Sequence, residues 1–211
     1  MDKFKKYFVT AIGTDIGKTL VSSILVNALK ADYWKPIQCG NLDSTDSDFI
    51  RNHTNALVHP EKYCFKMPAS PHIASLEENE NIELEKISIP TSKNHLIVEG
   101  AGGMMVPLND KNDLVIDIAK QNNLPLIVVS SFYLGSINHT LLTLEYAKQN
   151  NLNVAMLIFS GEIVPSSLSA IKNFFPDLKI GFVAKIEKLS KESLAFASEE
   201  FKKDYLHELV G

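Results

Sequence analysis

A single α/β domain, with a mostly parallel central sheet and helices on both of its faces, is predicted by three features of this chain. Short apolar runs of strand length recur along it, amphipathic segments of helical period lie between them, and no repeat or low-complexity linker divides the 211 residues. That length can bury one sizeable core, so residues 1–211 read as one domain with a helical or irregular tail over about 190–211.

The strand-like runs cover residues 7–12, 33–37, 95–99, 124–130, 154–159 and 180–184. Val, Ile and Phe dominate them, and most lack the apolar-polar alternation of a strand wetted on one face. A parallel sheet covered on both faces is therefore expected. After Thr19, the residues Leu20, Val21, Ile24, Leu25, Ala28 and Leu29 recur at spacings that place them on one helix face. Residues 114–121 and 138–149 repeat that signal. The Asn-, Glu- and Ser-rich segment 77–94 reads as a surface helix and loop. In the tail, Leu194, Phe201, Tyr205 and Leu209 suit either a docked helix or an irregular arm.

Bulk composition excludes several classes. A net charge of -4 gives no general attraction for nucleic acid or an anionic membrane, and the short runs Lys3, Lys5, Lys6 and Lys202, Lys203 read as solvated ends. Two cysteines, Cys39 and Cys64, do not make a disulfide framework, which favours a reducing compartment. The charged start lacks the apolar core of a secretory signal, and no apolar run approaches the about 18 residues of a membrane span. A soluble cytoplasmic protein is expected, with neither nucleic acid nor membrane as partner.

The chemistry begins where the first strand enters Gly13-Thr14-Asp15-Ile16-Gly17-Lys18-Thr19 and a strongly amphipathic helix leaves it. Strand, glycine loop and helix together make the context of a phosphate-binding loop, and thus of a P-loop NTPase fold. Gly13 and Gly17 let backbone N–H groups approach phosphate oxygens, and the helix N-terminus adds its partial positive charge. Lys18 can reach the terminal phosphates, and the Thr19 hydroxyl can coordinate Mg²⁺. The usual glycine six residues before the lysine is replaced by Ile12, with Ala11 before that.

Downstream, Glu99 ends a strand just before Gly100-Ala101-Gly102-Gly103, and ligands of an open α/β sheet gather at such strand ends. Glu99, Thr19 and one further carboxylate would suit Mg²⁺, which keeps several waters. Asp46 is the choice for that carboxylate, with Asp43 and Asp48 competing. Lys35 lies in the otherwise apolar run 33–37, where it is either a snorkelling surface lysine or a second cation against a transferring phosphoryl group. Pro36 beside it indicates an irregular or terminal strand position. The glycines 100–103 can form a tight turn or an N–H nest. Gly135 and Ser136 precede a helix whose amino end is either plainly capped or able to receive a carboxylate.

Taken in order, the motifs resemble the dethiobiotin synthetase family over about nine tenths of the chain. They are Phe8-Val9-Thr10 leading to Gly17-Lys18-Thr19, Lys35-Pro36 with Gly40, Ser70-Pro71-His72, Val98-Glu99-Gly100-Ala101-Gly102-Gly103 with Val106-Pro107-Leu108, and Leu134-Gly135 with Ile137-Asn138-His139. The resemblance implies an ATP- and Mg²⁺-dependent cyclo-ligase that joins CO₂ to the vicinal amines of 7,8-diaminononanoate through a carbamate and a carbamic-phosphoric anhydride.

On that resemblance, Lys18 attends the β- and γ-phosphates, Lys35 is a second catalytic lysine, and Thr19, Asp46 and Glu99 form the Mg²⁺ set. Thr14 and Asp15 match loop positions near the reaction centre, where the family often has Glu in place of Asp15. Gly13, Ile16 and Gly17 complete the nucleotide loop. Cys39 and Gly102 line the diamine pocket with Lys35 and Glu99. Gly135, Ser136, Ile137 and Asn138 correspond to a helix end that receives the substrate carboxylate across a homodimer interface. Ser160 stands where the family often has an adenine-reading Asn, Ala184 where proline is usual, and Ala11 where a glycine commonly opens the loop. The alternative class is a P-loop ATPase switch of the partitioning or metal-delivery type; the partitioning proteins usually carry an early loop lysine that is absent between Thr10 and Ile16.

Overall fold

Strand runs that are apolar at consecutive positions have a simple consequence in the computed structural model, which describes residues 4–210: successive side chains enter opposite layers. In β1 (Lys6–Ala11), Tyr7, Val9 and Ala11 join one buried cluster and Phe8 joins the other. Lys3, at the basic end, and Gly211, at the tail, lie outside the described residues.

The chain continues through α1 (Lys18–Leu29), β2 (Asp32–Trp34), β3 (Ile37–Cys39), α2 (Asp46–His53), β4 (Val58–His59), β5 (Tyr63–Phe65) and α3 (Pro71–Glu77). A 3-10 turn at Leu84–Lys86 precedes β6 (Leu96–Gly103). Then follow α4 (Asp117–Gln121), β7 (Leu126–Ser130), α5 (Ser136–Gln149), β8 (Val154–Ser160), α6 (Pro165–Phe174), β9 (Ile180–Val183) and α7 (Lys191–Val210).

Seven strands form the main sheet in the order β4-β2-β6-β1-β7-β8-β9, and every pairing is parallel. On one face, Val21, Ile24 and Leu25 of α1 pack with Leu194 and Phe201 of α7 over Val9, Ile97, Ile127 and Ile158. On the other, Leu144 and Ala147 of α5 and Ile171 of α6 cover Phe8, Val98, Val128 and Leu157. Burial of side chains of this size contributes about 1.5–3 kcal/mol each relative to exposure. The tail is thus a docked helix, and the Tyr7 hydroxyl fastens its end by donating to the Leu209 carbonyl at 2.5 Å.

Several expected boundaries shift. The run 33–37 is two strands: β2 leaves the main sheet at Trp34, and β3 pairs with β5 in a separate two-stranded sheet. Pro36 sits at the break because it has no N–H for either ladder, while its carbonyl accepts from Lys62 and Tyr63. The helix expected over 114–121 starts only at Asp117, since Leu114 is drawn into an antiparallel bridge with Pro107. Segment 77–94 contains one 3-10 turn in place of a helix, pinned where the Gln121 side-chain amide donates to the Leu84 and Ile87 carbonyls. The acidic loop around Asp46 is half helix: α2 begins at Asp46, with Thr45 and Asp48 forming a reciprocal capping box. Sequence periodicity also missed α3 and α6, whose first residues, Pro71 and Pro165, use the position where a missing N–H costs nothing.

Candidate active site

The loop between β1 and α1 turns through two left-handed residues, Asp15 at φ 58° and Gly17 at φ 94°. Gly17 is the N-cap of α1 and contributes no side chain to that end. A Cβ at this position would stand 2.8 Å from Ser160 Oγ, so the end of β8 buttresses the loop from behind. Ala11 is the last residue of β1 and lies outside the positive-φ set, so a non-glycine residue is accommodated there without strain. Lys18 folds back over the loop with Nζ 3.4 Å from the Gly13 carbonyl. Burial holds its pKa below that of an ordinary lysine; Glu99 opposes this effect and Lys35 reinforces it.

Four further residues converge beside Lys18. Thr19 Oγ1 lies 2.9 Å from Asp46 Oδ1 and 2.9 Å from Glu99 Oε1. Lys35 Nζ pairs with Asp46 Oδ2 and lies 3.3 Å from Glu99 Oε1. The register explains this meeting: Trp34 is opposite Val98, so the next residues along β2 and β6, Lys35 and Glu99, arrive side by side. Burial alone would lower the Lys35 pKa, but the carboxylates of Glu99 and Asp46 outweigh it and raise the value. Burial pushes Asp46 upward, and Lys35, with the Thr19 hydrogen bond, brings it below its usual range.

Asp43 is exposed and away from this cluster, and both Asp48 oxygens are occupied by Thr45 and Arg51. Of the three competing aspartates, Asp46 alone meets Thr19. Two carboxylates and a hydroxyl make a hard oxygen set that fits Mg²⁺ in charge and donor type. Among the described residues no group of three or more His, Cys, Asp or Glu could by itself hold a metal, so phosphate oxygens and water would complete the coordination.

These groups open onto a cleft of about 740 Å³. Thr14, Asp15, Gly17, Lys18, Thr19, Lys35, Cys39, Asp46, Glu99 and Gly102 all line it. Gly102 takes φ 67°, and a Cβ there would meet Val106 at 2.9 Å. Gly13 and Ile16 lie in the loop outside the lining, as do Ser160 and the exposed Ala184 at the ends of β8 and β9. Gly135, Ser136, Ile137 and Asn138 do not reach this chain's cleft. They open α5, whose N-cap Gly135 supplies no side-chain cap, next to the fully exposed Leu134.

Tyr33, Gln38 and Ser70 belong to the site region without having been given a role from the sequence. Gln38 and Ser70 line the cleft, and the Tyr33 hydroxyl donates to Glu99 Oε2 at 3.1 Å. Ser70 was visible only as part of a motif, and Tyr33 only as one more aromatic in an apolar strand.

A family model described as "AAA domain" matches residues 5–193. The chain is 48% identical over 192 residues to an ATP-dependent dethiobiotin synthetase BioD of Cytophaga hutchinsonii, covering 89% of this chain and 92% of the relative. It is 40% identical to the enzyme of the same name from Christiangramia forsetii, covering 89% and 88%. Among solved structures, a ParA family ATPase from Chlorobium tepidum TLS superposes with TM-score 0.58 at 14% identity, over 97% of this chain and 95% of that one, a likeness of fold alone. With that identity carried over nearly the whole length of the relatives, the chain belongs to the ATP-dependent dethiobiotin synthetase family.

Proposed function

We propose that this protein closes the ureido ring of dethiobiotin from 7,8-diaminononanoate and CO₂, with ATP as the phosphoryl donor and Mg²⁺ as its metal. The observation that carries this reading beyond family membership is a second buried lysine, Lys35, held at the mouth of a phosphate loop by the carboxylates adjoining Thr19.

In the proposed reaction one substrate amine attacks CO₂ and loses a proton, giving a carbamate. A carbamate oxygen then attacks the γ-phosphorus as the bond to ADP breaks. The second amine attacks the carbonyl carbon of the mixed anhydride, and phosphate leaves as the five-membered ring closes. Both partners of the phosphoryl step are anions, so positive charge and alignment are what the protein must supply. Lys18 and the loop N–H groups, from Gly13 to Thr19, hold the β- and γ-phosphates, with Thr14 and Asp15 at the reaction side. Lys35 draws the carbamate oxygen toward the γ-phosphoryl group. Thr19, Asp46 and Glu99 would hold Mg²⁺, which when bound neutralises charge building on the phosphate oxygens.

Cys39 and Gly102 form the diamine wall of the cleft. Gly135, Ser136, Ile137 and Asn138 lie outside this chain's cleft and suit a carboxylate site offered to a partner copy in a homodimer. Ser160 and Ala184 border the base of ATP. Among the described residues no helix is long and apolar enough to cross a membrane, which agrees with work in the cytoplasm on small soluble substrates.

The test is to incubate the purified protein with ATP, Mg²⁺, bicarbonate and 7,8-diaminononanoate while following ADP and the cyclic urea. Rapid ADP release that requires the diamine is the expected result. Slow ATP hydrolysis indifferent to diamine would overturn the proposal and favour a nucleotide switch.

A further inference from the structure

The two carboxylate oxygens of Glu99 have different company. Oε1 lies 2.9 Å from Thr19 Oγ1 and 3.3 Å from Lys35 Nζ, facing the cleft, whereas Oε2 accepts from the Tyr33 hydroxyl at 3.1 Å. Both side chains are fully buried. Tyr33 stands opposite Ile97, two residues before Glu99, so ring and carboxylate lie on the same face of the sheet and the phenol reaches along β6.

For packing alone phenylalanine would serve equally, because the ring sits in the apolar layer with Ile24 and Ile97. A hydroxyl at such a depth must find a partner, and the one it finds is the rear oxygen of Glu99. The final torsion of a glutamate is broad and nearly two-fold, so nothing intrinsic selects which edge faces the cleft.

We propose that Tyr33 is a positioning residue: its hydroxyl fixes the Glu99 carboxylate so that Oε1 is presented to Thr19 and Lys35, and thereby sets the affinity of the cluster for the nucleotide-bound divalent cation. This rests on the reading that Thr19, Asp46 and Glu99 hold that cation. Partners that orient a metal's ligands typically change affinity about 10- to 100-fold when removed.

The test compares wild type with Tyr33→Phe, Glu99→Gln and the double variant, titrating Mn²⁺ by electron paramagnetic resonance in the presence of a non-hydrolysable ATP analogue. Tyr33→Phe should keep the thermal midpoint near that of wild type and weaken Mn²⁺ binding about tenfold. In the Glu99→Gln background the same change should shift binding by less than about twofold, because the tyrosine acts through the carboxylate. In turnover, half-saturation by Mg²⁺ should rise while the KM for the diamine stays put. Unchanged Mn²⁺ binding in Tyr33→Phe, or an equal loss in both backgrounds, would overturn the inference while leaving the proposed reaction standing. No Mn²⁺ binding by wild type with the analogue would overturn the metal site and this inference together.

Discussion

Lys35 Nζ lies 3.3 Å from Glu99 Oε1 and also pairs with Asp46, so one buried ammonium bridges two carboxylates from different elements. Removing it leaves Glu99, wholly inside, without its cation. Lys35→Met should lower stability by about 3 kcal/mol in metal-free buffer, the lower end for a broken buried pair because Asp46 is one-third exposed. Mg²⁺ with nucleotude analogue should restore part of that loss. Ring closure should fall by about 10² or more in this variant and in Lys18→Ala. Urea unfolding with and without Mg²⁺, beside ADP release, checks both halves; near-normal turnover in a folded variant would remove that lysine from the mechanism.

Asparagine scanning of the three aspartates should separate metal from cap. Asp46→Asn should raise the Mg²⁺ needed for half-maximal activity, because Asp46 alone of the three contacts Thr19. Asp48→Asn should leave the Mg²⁺ curve in place and cost about 1 kcal/mol of stability through its share of the α2 capping box. Asp43→Asn, at an exposed position, should change neither. A Mg²⁺ titration that ranks Asp43 or Asp48 first would refute the assignment.

The residues whose meeting was foreseeable are those on regular elements. Glu99 closes the apolar part of β6, which runs on through its glycines to Gly103, and Thr19 lies in the first turn of α1 after the glycine loop; parallel-sheet topology brings these positions together. The acidic trio was harder, because the choice of Asp46 follows from α2 beginning at that residue and from Asp48 being spent on Thr45 and Arg51. Periodicity could not reveal these local hydrogen bonds. Tyr33 was hidden for another reason: an aromatic in an apolar strand reads as core, and only the register with Ile97 shows that its hydroxyl reaches Glu99. The division of 33–37 into two strands depended on where β3 found a partner, a non-local pairing with β5.

Opposite ends of the pH range should report the two sides of the Lys35–Asp46 pair. Asp46 titrates below its ordinary 3.8 in the fold: burial opposes this, and Lys35 with the Thr19 bond prevails. The folded state binds that proton less tightly than the unfolded chain, so the stabilisation is full above about pH 4 and drains as pH falls through the depressed value. Lys35 lies above its ordinary 10.5, so its contribution is full below that pH and is lost as pH rises through the folded value. Asp46→Asn should therefore flatten the acid limb of a urea-midpoint profile, and Lys35→Met the alkaline one. Parallel wild-type and variant profiles at both ends would contradict the pairing.

Gly17→Ala tests the loop's rear wall. Its φ of 94° is strained for any residue with a Cβ, and the new methyl would press on Ser160 Oγ at 2.8 Å. The fold should lose about 1–3 kcal/mol, and nucleotide affinity should fall as the loop N–H groups are displaced. Ser160→Gly placed in the same chain should recover part of the affinity, because it clears the contact but not the strain. Fluorescence titration with a labelled ATP analogue reads both; a double variant no better than Gly17→Ala would assign the whole defect to φ.

Cys39 lines the cleft within the field of Lys35, yet its environment suppresses the thiolate. Burial pushes the thiol up to about 11, and the nearby ammonium only partly opposes it. At pH 8 about one molecule in 10³ would carry the thiolate, too few for efficient attack or rapid alkylation. The proposed ring closure requires no protein nucleophile, so Cys39→Ser should keep turnover within about threefold, with any change appearing in the KM for the diamine, whose wall Cys39 is proposed to form. Iodoacetamide at pH 8 should label the exposed Cys64 before Cys39. Peptide mapping that found Cys39 modified first, or a hundredfold loss of kcat in Cys39→Ser, would mean that the thiol takes part in the reaction.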